Sequence, residues 1–262
     1  VPSKGKGTAW RWRPSKAKDQ QAGPALIFFP ASGYYSFQSL RPPHFSESVA
    51  ACATLSALAD TAIPGVSILV VEYPVYQAGE CQHPEALDAA WSALEWVRKQ
   101  PGVDRSRISL IGASSGGHLA LVLALKCHAK AMSPPIQCLV LDCPGLAVYV
   151  PMANVLDEAE GGRLYAYFAK LRAEEALLDP YVNPHAASDA AIAALPRTLF
   201  IHNGHDIYDL ITHSGHPPAF DTVNGMNDFI IRMCDLSAQH TLRFYPDGIP
   251  LLSLAAGVAR LP

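Results

Sequence analysis

The stretch Ser109-Leu110-Ile111-Gly112-Ala113-Ser114-Ser115-Gly116-Gly117-His118 decides the fold expected for this chain. An apolar, strand-like segment leads into it, and a helix-like segment over 119–126 follows it. A G-x-S-x-G pattern stands at the junction between the two segments. A strand-to-helix turn of this kind needs small residues on both sides, and it holds one hydroxyl above the sheet. The pattern therefore predicts a sharp elbow with the side chain of Ser114 at its tip.

Composition and charge narrow the class of protein. The 262 residues suffice for one large domain with a well-buried core, since half of them are apolar and 16% are charged. The net charge of −3 without a basic cluster argues against nucleic-acid binding, and no apolar run approaches the ~20 residues of a membrane span. The six scattered cysteines favour a reducing compartment such as the cytoplasm. We expect no cofactor and no metal, and the start at Val1 suggests a processed or trimmed product.

Strand-like and helix-like segments alternate along the chain. Strands are predicted over 8–13, 25–29, 67–72, 107–111, 136–141, 198–202 and 241–245. Helices are predicted over 46–60, 84–100, 119–126 and 251–260. Alternation at crossover-length spacing predicts an α/β fold, with a mostly parallel central sheet and helices on both faces. Residues 1–262 are expected to form a single domain, with 150–178 as a small helical cap insertion.

A serine nucleophile needs a base to take its proton, an acid to orient the base, and donors for the oxyanion. In enzymes with this elbow, the acid and then the base follow the serine along the chain. Asp206 comes just past the end of the strand predicted over 198–202. Sites of open α/β sheets form at that edge, so we assign Asp206 as the acid. The alternative is a loop carboxylate or a helix N-cap.

Further segments resemble those of the hormone-sensitive-lipase-like carboxylesterases. They are Glu72-Tyr73-Pro74, 81–90, Trp96-Val97, 102–108 with the elbow, Asp179-Pro180-Tyr181-Val182-Asn183-Pro184 and 195–199. The likeness covers most of the chain between residues 25 and 250. It implies an α/β-hydrolase fold, with Ser114 as nucleophile and Asp206 as acid. It also implies that the backbone N–H of Ser115 lies in the oxyanion hole.

The chain departs from that family in two places. Where the family usually carries His-Gly-Gly-Gly, this chain reads Pro30-Ala31-Ser32-Gly33-Tyr34, and we expect the N–H groups of Ala31 and Ser32 to complete the oxyanion hole. The family's base histidine follows the last strand in a Tyr-Pro-x-x-x-His context, and Pro250 stands at that position here. Proline cannot accept a proton. Losing the base of a serine triad costs on the order of 10⁶ in turnover.

An efficient esterase with this sequence needs a replacement base. His213 and His216 are the leading candidates, because they follow Asp206 in the connection that leaves a strand's carboxyl end. The weaker candidates are His118, His202, His205 and His240. Of these, His118 is expected to pack or hydrogen-bond locally beside the elbow, and His202 to be a core histidine.

Three functions remain open. The first is a serine esterase acting on small or medium apolar esters through Ser114, with Tyr34 and Tyr35 lining an apolar substrate pocket. The second is a lyase or cyclase that polarises a carbonyl in the old oxyanion pocket, which needs no serine–histidine relay. The third is a catalytically inactive homologue that binds a ligand. In each case the partner is a small-molecule substrate or ligand.

Overall fold

A computed structural model describes residues 9–13, 22–34, 65–76, 81–146, 171, 173–203 and 222–245. Its strands are β1 (Ala9–Arg13), β2 (Gly23–Phe29), β3 (Ser67–Glu72), β4 (Val103–Ala113), β5 (Cys138–Asp142), β6 (Arg197–Asn203) and β7 (His240–Tyr245). Within these ranges they form one sheet in the order β1-β3-β2-β4-β5-β6-β7. β1 is antiparallel to β3, and every other pairing is parallel. The predicted α/β class with a mostly parallel sheet is confirmed.

The described helices are α1 (Glu85–Val97), α2 (Ser115–Ala129), α3 (Ala173–Leu178), α4 (Asp189–Ala193) and α5 (Thr222–Asp235). α1 is amphipathic, and Ala90, Leu94 and Val97, which share one face of it, are fully buried. Most residues of α2 are buried, as expected for a helix that is apolar nearly all round. No helix in the described ranges is both long and apolar enough to cross a membrane. The helices predicted over 46–60 and 251–260, and most of the cap predicted over 150–178, lie outside those ranges.

The two faces of the sheet carry separate clusters of buried side chains. The larger cluster joins the strands to α1, α2 and α5, and it includes Ile27, Leu69, Leu94, Leu110 and Phe229. The smaller cluster, on the opposite face, consists of Phe28, Val66, Ile68, Val70 and Ile111. Successive residues of β2 and β3 therefore alternate between two apolar environments. Burial on both faces explains why these strands read as continuous apolar runs in the sequence.

The edge strand β1 is joined to the helical layer by an aromatic contact. The ring of Trp12 meets that of Trp96 on α1 edge to face, with the ring centroids 5.2 Å apart. This arrangement is one of the preferred geometries of aromatic pairs. The strand predicted over 8–13 is confirmed, and within the described ranges it lies at the edge of the sheet, with Trp12 turned toward α1.

The central strand β4 leads into the site. Between the pairs Gly23–Val103 and Ala25–Ile108 its register with β2 shifts, so residues 104–107 leave the regular ladder. From Ile108 onward β4 is buried and pairs with β2 on one side and β5 on the other. Since neighbouring strands are parallel here, the chain leaves β2, β3, β4 and β5 at the same edge of the sheet. Sites of open α/β sheets form at this carboxyl edge.

Candidate active site

Ser114 lies at the bend between β4 and α2, and its backbone marks the bend as a sharp elbow. Its φ of 51° and ψ of −119° fall where residues other than glycine are rare. Its N–H donates to the carbonyl oxygen of Asp142 at 2.8 Å, which ties the bend to β5. Its own carbonyl accepts from the N–H groups of His118 at 3.0 Å and Gly145 at 3.3 Å. The bend predicted from the sequence is thus present, with Ser114 partly exposed at its tip.

Close packing explains the glycines of the elbow. A Cβ built on Gly116 would lie 2.0 Å from the carbonyl oxygen of Phe29, and one built on Gly112 would lie 2.1 Å from that of Gly116. Both obstacles are backbone atoms, which cannot rotate aside. Because neither position carries a side chain, the first turn of α2 packs directly against the end of β2. This contact brings residues 30–34, which we call the 30–34 loop, beside the elbow.

The side chain of Ser115 reaches into the 30–34 loop. Its Oγ lies 3.0 Å from the nitrogen of Ser32 and 2.9 Å from the nitrogen of Gly33, and it accepts a hydrogen bond from each N–H. Two adjacent backbone N–H groups that converge on one oxygen have the donor geometry of an oxyanion hole. In this structure the hydroxyl oxygen of Ser115 lies at the point of convergence.

Tyr73, directly after β3, completes a buried hydroxyl network with Ser32 and Ser115. Its O–H donates to the carbonyl of Pro30 at 2.8 Å, and its oxygen accepts from Ser32 Oγ at 2.9 Å. Since the phenolic proton is used by Pro30, the 3.0 Å contact between Tyr73 and Ser115 is donated by Ser115. Burial raises the pKa of Tyr73 well above its usual value, although hydrogen bonds from Ser115 and Ser32 oppose the shift. The phenol is therefore a neutral member of this hydroxyl network.

A second buried pair joins the 30–34 loop to α2. The hydroxyl of Tyr34 lies 2.6 Å from Nδ1 of His118, and Nε2 of His118 lies 3.0 Å from the carbonyl oxygen of Val182. A carbonyl only accepts, so Nε2 carries the proton and Nδ1 accepts from Tyr34. Burial lowers the pKa of His118 to about 4, and the ring is neutral at pH 7. Both ring nitrogens are occupied, which agrees with the local hydrogen bonding predicted for His118 and leaves it unable to act as a base.

Tyr34 does not fit the substrate-binding role predicted for it. The side chain is 2% exposed, and its ring packs against Tyr73 with the centroids 5.8 Å apart. The reason is the left-handed turn at this point, where φ is 59° at Gly33 and 62° at Tyr34. That turn directs the phenol toward His118 inside the molecule instead of toward an open pocket.

The other predicted site residues are placed as follows. Ala31 is partly exposed in the 30–34 loop, and the N–H of Ser32 is engaged by Ser115 Oγ. The residues outside the described ranges are Tyr35, His205, Asp206, His213, His216 and Pro250, so their predicted roles stay predictions.

Two further candidate bases, His202 and His240, lie within the described ranges. His202 is buried and stacks on Phe244 with the centroids 5.5 Å apart, which agrees with a core histidine. His240 begins β7 at the amino edge of the sheet, opposite to Ser114, and bonds to Cys234 and the Ala238 carbonyl. Neither residue supplies a base beside the elbow. In the described part of the chain, no group of His, Cys, Asp and Glu side chains could hold a metal ion.

Sequence reasoning missed the hydroxyls of Tyr73 and Ser115. Tyr73 had a signal, since it directly follows a buried strand at the edge where polar side chains of a site collect. The Ser115 hydroxyl had none, because its position is the variable one after the serine of G-x-S-x-G. Only the backbone N–H of Ser115 was assigned a role.

Solved structures share this fold. A fungal esterase from Rhizomucor miehei matches with a TM-score of 0.72 and 17% identity, over 99% of this chain and 80% of that one. Carboxyl esterase 2 from Tuber melanosporum matches with a TM-score of 0.69 and 17% identity, over 97% and 77% of the two chains. The esterase from Pyrobaculum calidifontis matches with a TM-score of 0.68 and 18% identity, over 97% of this chain and 83% of that one. At such identities the likeness shows the fold alone.

Relatives are found by sequence as well. The chain is 28% identical over 133 residues to esterase LipI of Mycobacterium tuberculosis strain H37Rv, which takes in 50% of this chain and 37% of LipI. It is 30% identical over 159 residues to carboxylesterase NlhH of the same species, which takes in 60% of this chain and 45% of NlhH. This chain thus matches less than half the length of either relative. A family model for the alpha/beta hydrolase fold matches residues 46–209, well over half of the chain. The chain therefore belongs to the alpha/beta hydrolase fold family, in its hormone-sensitive-lipase-like group.

Proposed function

We propose that this chain is a carboxylesterase-like serine hydrolase, which cleaves small or medium apolar esters through Ser114. The observation that carries the proposal is the backbone of Ser114, whose φ of 51° is held by hydrogen bonds to β5 and α2. A strained conformation that the surrounding structure maintains is a mark of functional sites. The relatives that are named esterases support the reaction class.

In the proposed reaction, Ser114 Oγ attacks the carbonyl carbon of the ester while its proton passes to a histidine oriented by Asp206. The carbonyl oxygen becomes an oxyanion, held by the backbone N–H of Ser115 and by N–H groups of the 30–34 loop. The Ser115 N–H begins a helix of 15 residues, so it has no acceptor within the helix and lies at the positive end of the helix dipole. The histidine gives that proton to the leaving alcohol as the intermediate collapses to an acyl-serine. Water, which loses a proton to the same histidine, then attacks the acyl carbon, and the bond to Ser114 Oγ breaks as Oγ regains the proton and the acid leaves.

The topology supports the part proposed for Asp206. β5 separates β4 from β6, and β6 ends at Asn203. Neighbouring strands are ~4.8 Å apart, so the chain leaves β6 about 10 Å from the end of β4. A carboxylate three residues farther on, and an imidazole between it and Ser114, suit that separation. We assign the base to the connection after Asp206, at His213 or His216.

The proposal is tested with a fluorophosphonate probe, which labels only an activated serine. Wild type is expected to label, and Ser114→Ala is expected to lose labelling together with at least ~10³-fold of its p-nitrophenyl butyrate turnover. Ser92→Ala is the matched control, because Ser92 is an exposed serine on α1, remote from the elbow. His213→Ala and His216→Ala then separate the two candidate bases, since only loss of the true base slows labelling.

Other outcomes would contradict the proposal. Labelling that persists in Ser114→Ala would place the reactive serine elsewhere. A folded wild type that does not label would favour a lyase, a cyclase or a ligand-binding homologue. A lyase or cyclase would then retain most of its activity in Ser114→Ala, because polarising a carbonyl needs no serine nucleophile.

A further inference from the structure

We infer that the hydroxyl of Ser115 occupies the oxyanion hole from within the protein, and that turnover is limited by its displacement. This inference rests on the proposed function, since Ser115 would slow the reaction proposed for Ser114. Ser115 is a positioning residue in this scheme. Its side chain contacts the oxyanion donors, and Ser114 remains the nucleophile.

The hydroxyl of Ser115 lies where an oxyanion would lie. Oxyanion donors stabilise an oxygen that lies 2.7–3.1 Å from their nitrogens. Ser115 Oγ lies 3.0 Å from the nitrogen of Ser32 and 2.9 Å from that of Gly33. A substrate oxygen that used the same two N–H groups would need the same place. The two oxygens exclude each other, so the hydroxyl has to rotate away before the substrate can use these donors.

The hydroxyl is also held firmly. Ser115 is only 6% exposed, its two lone pairs accept from the loop, and its proton goes to Tyr73. Tyr73 in turn donates to Pro30 and accepts from Ser32. Every hydroxyl proton of the hydroxyl network thus has an assigned acceptor. Rotation of Ser115 would leave the part-buried N–H groups of Ser32 and Gly33, and the buried Tyr73 oxygen, without this partner.

A substrate that replaces the hydroxyl gains little until the oxyanion forms. A neutral ester carbonyl accepts hydrogen bonds from the two N–H groups that are about as strong as those the hydroxyl already accepts. Only the charged oxyanion makes clearly stronger hydrogen bonds. The cost of displacement therefore falls on the path to the tetrahedral intermediate. In Ser115→Ala the place is open to water, which leaves more easily than a tethered side chain.

The rate of labelling tests the inference. We expect Ser115→Ala to react with the fluorophosphonate, and to hydrolyse p-nitrophenyl butyrate, at least tenfold faster than wild type. Removing one oxyanion donor lowers turnover by ~10²–10³-fold, and the hydroxyl occupies two donors. A tenfold gain is therefore only part of what freeing both donors could give. Ser109→Ala is the matched control, since Ser109 is also a 6% exposed serine and its Oγ accepts one hydrogen bond, from Cys138. It should stay within twofold of wild type.

A labelled wild type with an equal or slower Ser115→Ala would overturn the inference and leave the proposed function standing. A second measurement does not depend on catalysis. Butyrate is titrated into ¹⁵N-labelled protein, and the amide signals of Ser32 and Gly33 are followed. Butyrate should shift these two signals in folded Ser115→Ala, where its carboxylate can reach the N–H groups. It should leave them unshifted in wild type, where the hydroxyl occupies that place. Equal behaviour in the two proteins would overturn the inference. Absence of labelling in both, with the expected amide shifts, would overturn only the proposed reaction.

Discussion

The two ends of β4 differ in how far water can reach the hydrogen bonds of their polar groups. At the amino end, Asp104 accepts from the Ser106 N–H and Oγ and from Arg107 Nε, at 2.9, 2.6 and 2.8 Å, all within three residues along the chain. These hydrogen bonds, those from Ser106 before that from Arg107, lower the pKa of the partly exposed Asp104 carboxyl to about 2. Arg107 also reaches the carbonyl of Ala22 on the surface. At the carboxyl end, Ser115 uses partners 42 to 83 residues away, and the Oγ that they reach is buried.

The hydrogen bonds at the carboxyl end of β4 fix the positions of their groups more firmly than those at the amino end. Water can replace an exposed local hydrogen bond, so losing one at the amino end changes little. The bonds at the carboxyl end join the 30–34 loop, the residue after β3 and the first turn of α2. A buried group that loses its partner there keeps the full cost of desolvation. Substitutions should therefore have larger effects at the carboxyl end of β4 than at the amino end.

The largest difference in the free energy of unfolding is expected between two glycine substitutions. Gly116→Ala should lower the free energy of unfolding by about 4 kcal/mol, because its Cβ would meet the carbonyl oxygen of Phe29 at 2.0 Å. Gly102→Ala, at the amino end of β4, should change it by less than about 0.5 kcal/mol, because nothing lies within 4 Å of that Cβ. Urea denaturation measures both. Similar effects of the two substitutions would contradict the expected difference between the two ends of β4.

Histidines at the two ends of α2 extend the comparison to pH. The pKa of His118 is lowered by burial from 6.5 to about 4, so the unfolded chain takes up a proton before the folded one. Stability should be unaffected by this group above pH 7 and should fall as pH drops from 6.5 toward 4, by about 3 kcal/mol in total. Unfolding in urea at several pH values, compared with His118→Gln, should show the loss in wild type only.

The control for the pH experiment is His128→Gln, whose exposed side chain lies in the last turn of α2. Its stability should follow that of wild type at every pH, within about 0.5 kcal/mol. A parallel loss in His118→Gln and wild type would show that His118 is not the group responsible.

The smallest effect is expected from the phenol of the hydroxyl network. Tyr73→Phe removes the donor to Pro30 and the acceptor for Ser32 and Ser115, and should cost about 2 kcal/mol of unfolding free energy. Tyr245→Phe on the exposed strand β7 should cost less than about 0.5 kcal/mol. Thermal unfolding of the pair checks this, and a neutral Tyr73→Phe would mean that water substitutes for the lost hydroxyl.

Elements with a strong local pattern could be predicted closely. The strand predicted over 67–72 agrees residue for residue with β3, and α1 lies within the helix predicted over 84–100. β4 begins at Val103 instead of 107, because Val103 pairs with Gly23 of β2, and the polar residues 104–107 follow it before the regular ladder resumes at Ile108. Pairing between segments far apart in the chain leaves no periodic signal in either one.

Residue patterns along the chain were enough to predict a mostly parallel sheet with a serine-bearing bend at its carboxyl edge. Apolar runs, helical spacing and small residues around Ser114 are local properties, and they act wherever the chain folds. Two contacts could be seen only in the folded molecule: Tyr34 turns inward to His118, and Ser115 Oγ accepts from the N–H groups of Ser32 and Gly33. Hydrogen-bond direction depends on loop conformation and on strands brought together across the sheet, and residue types alone do not encode either.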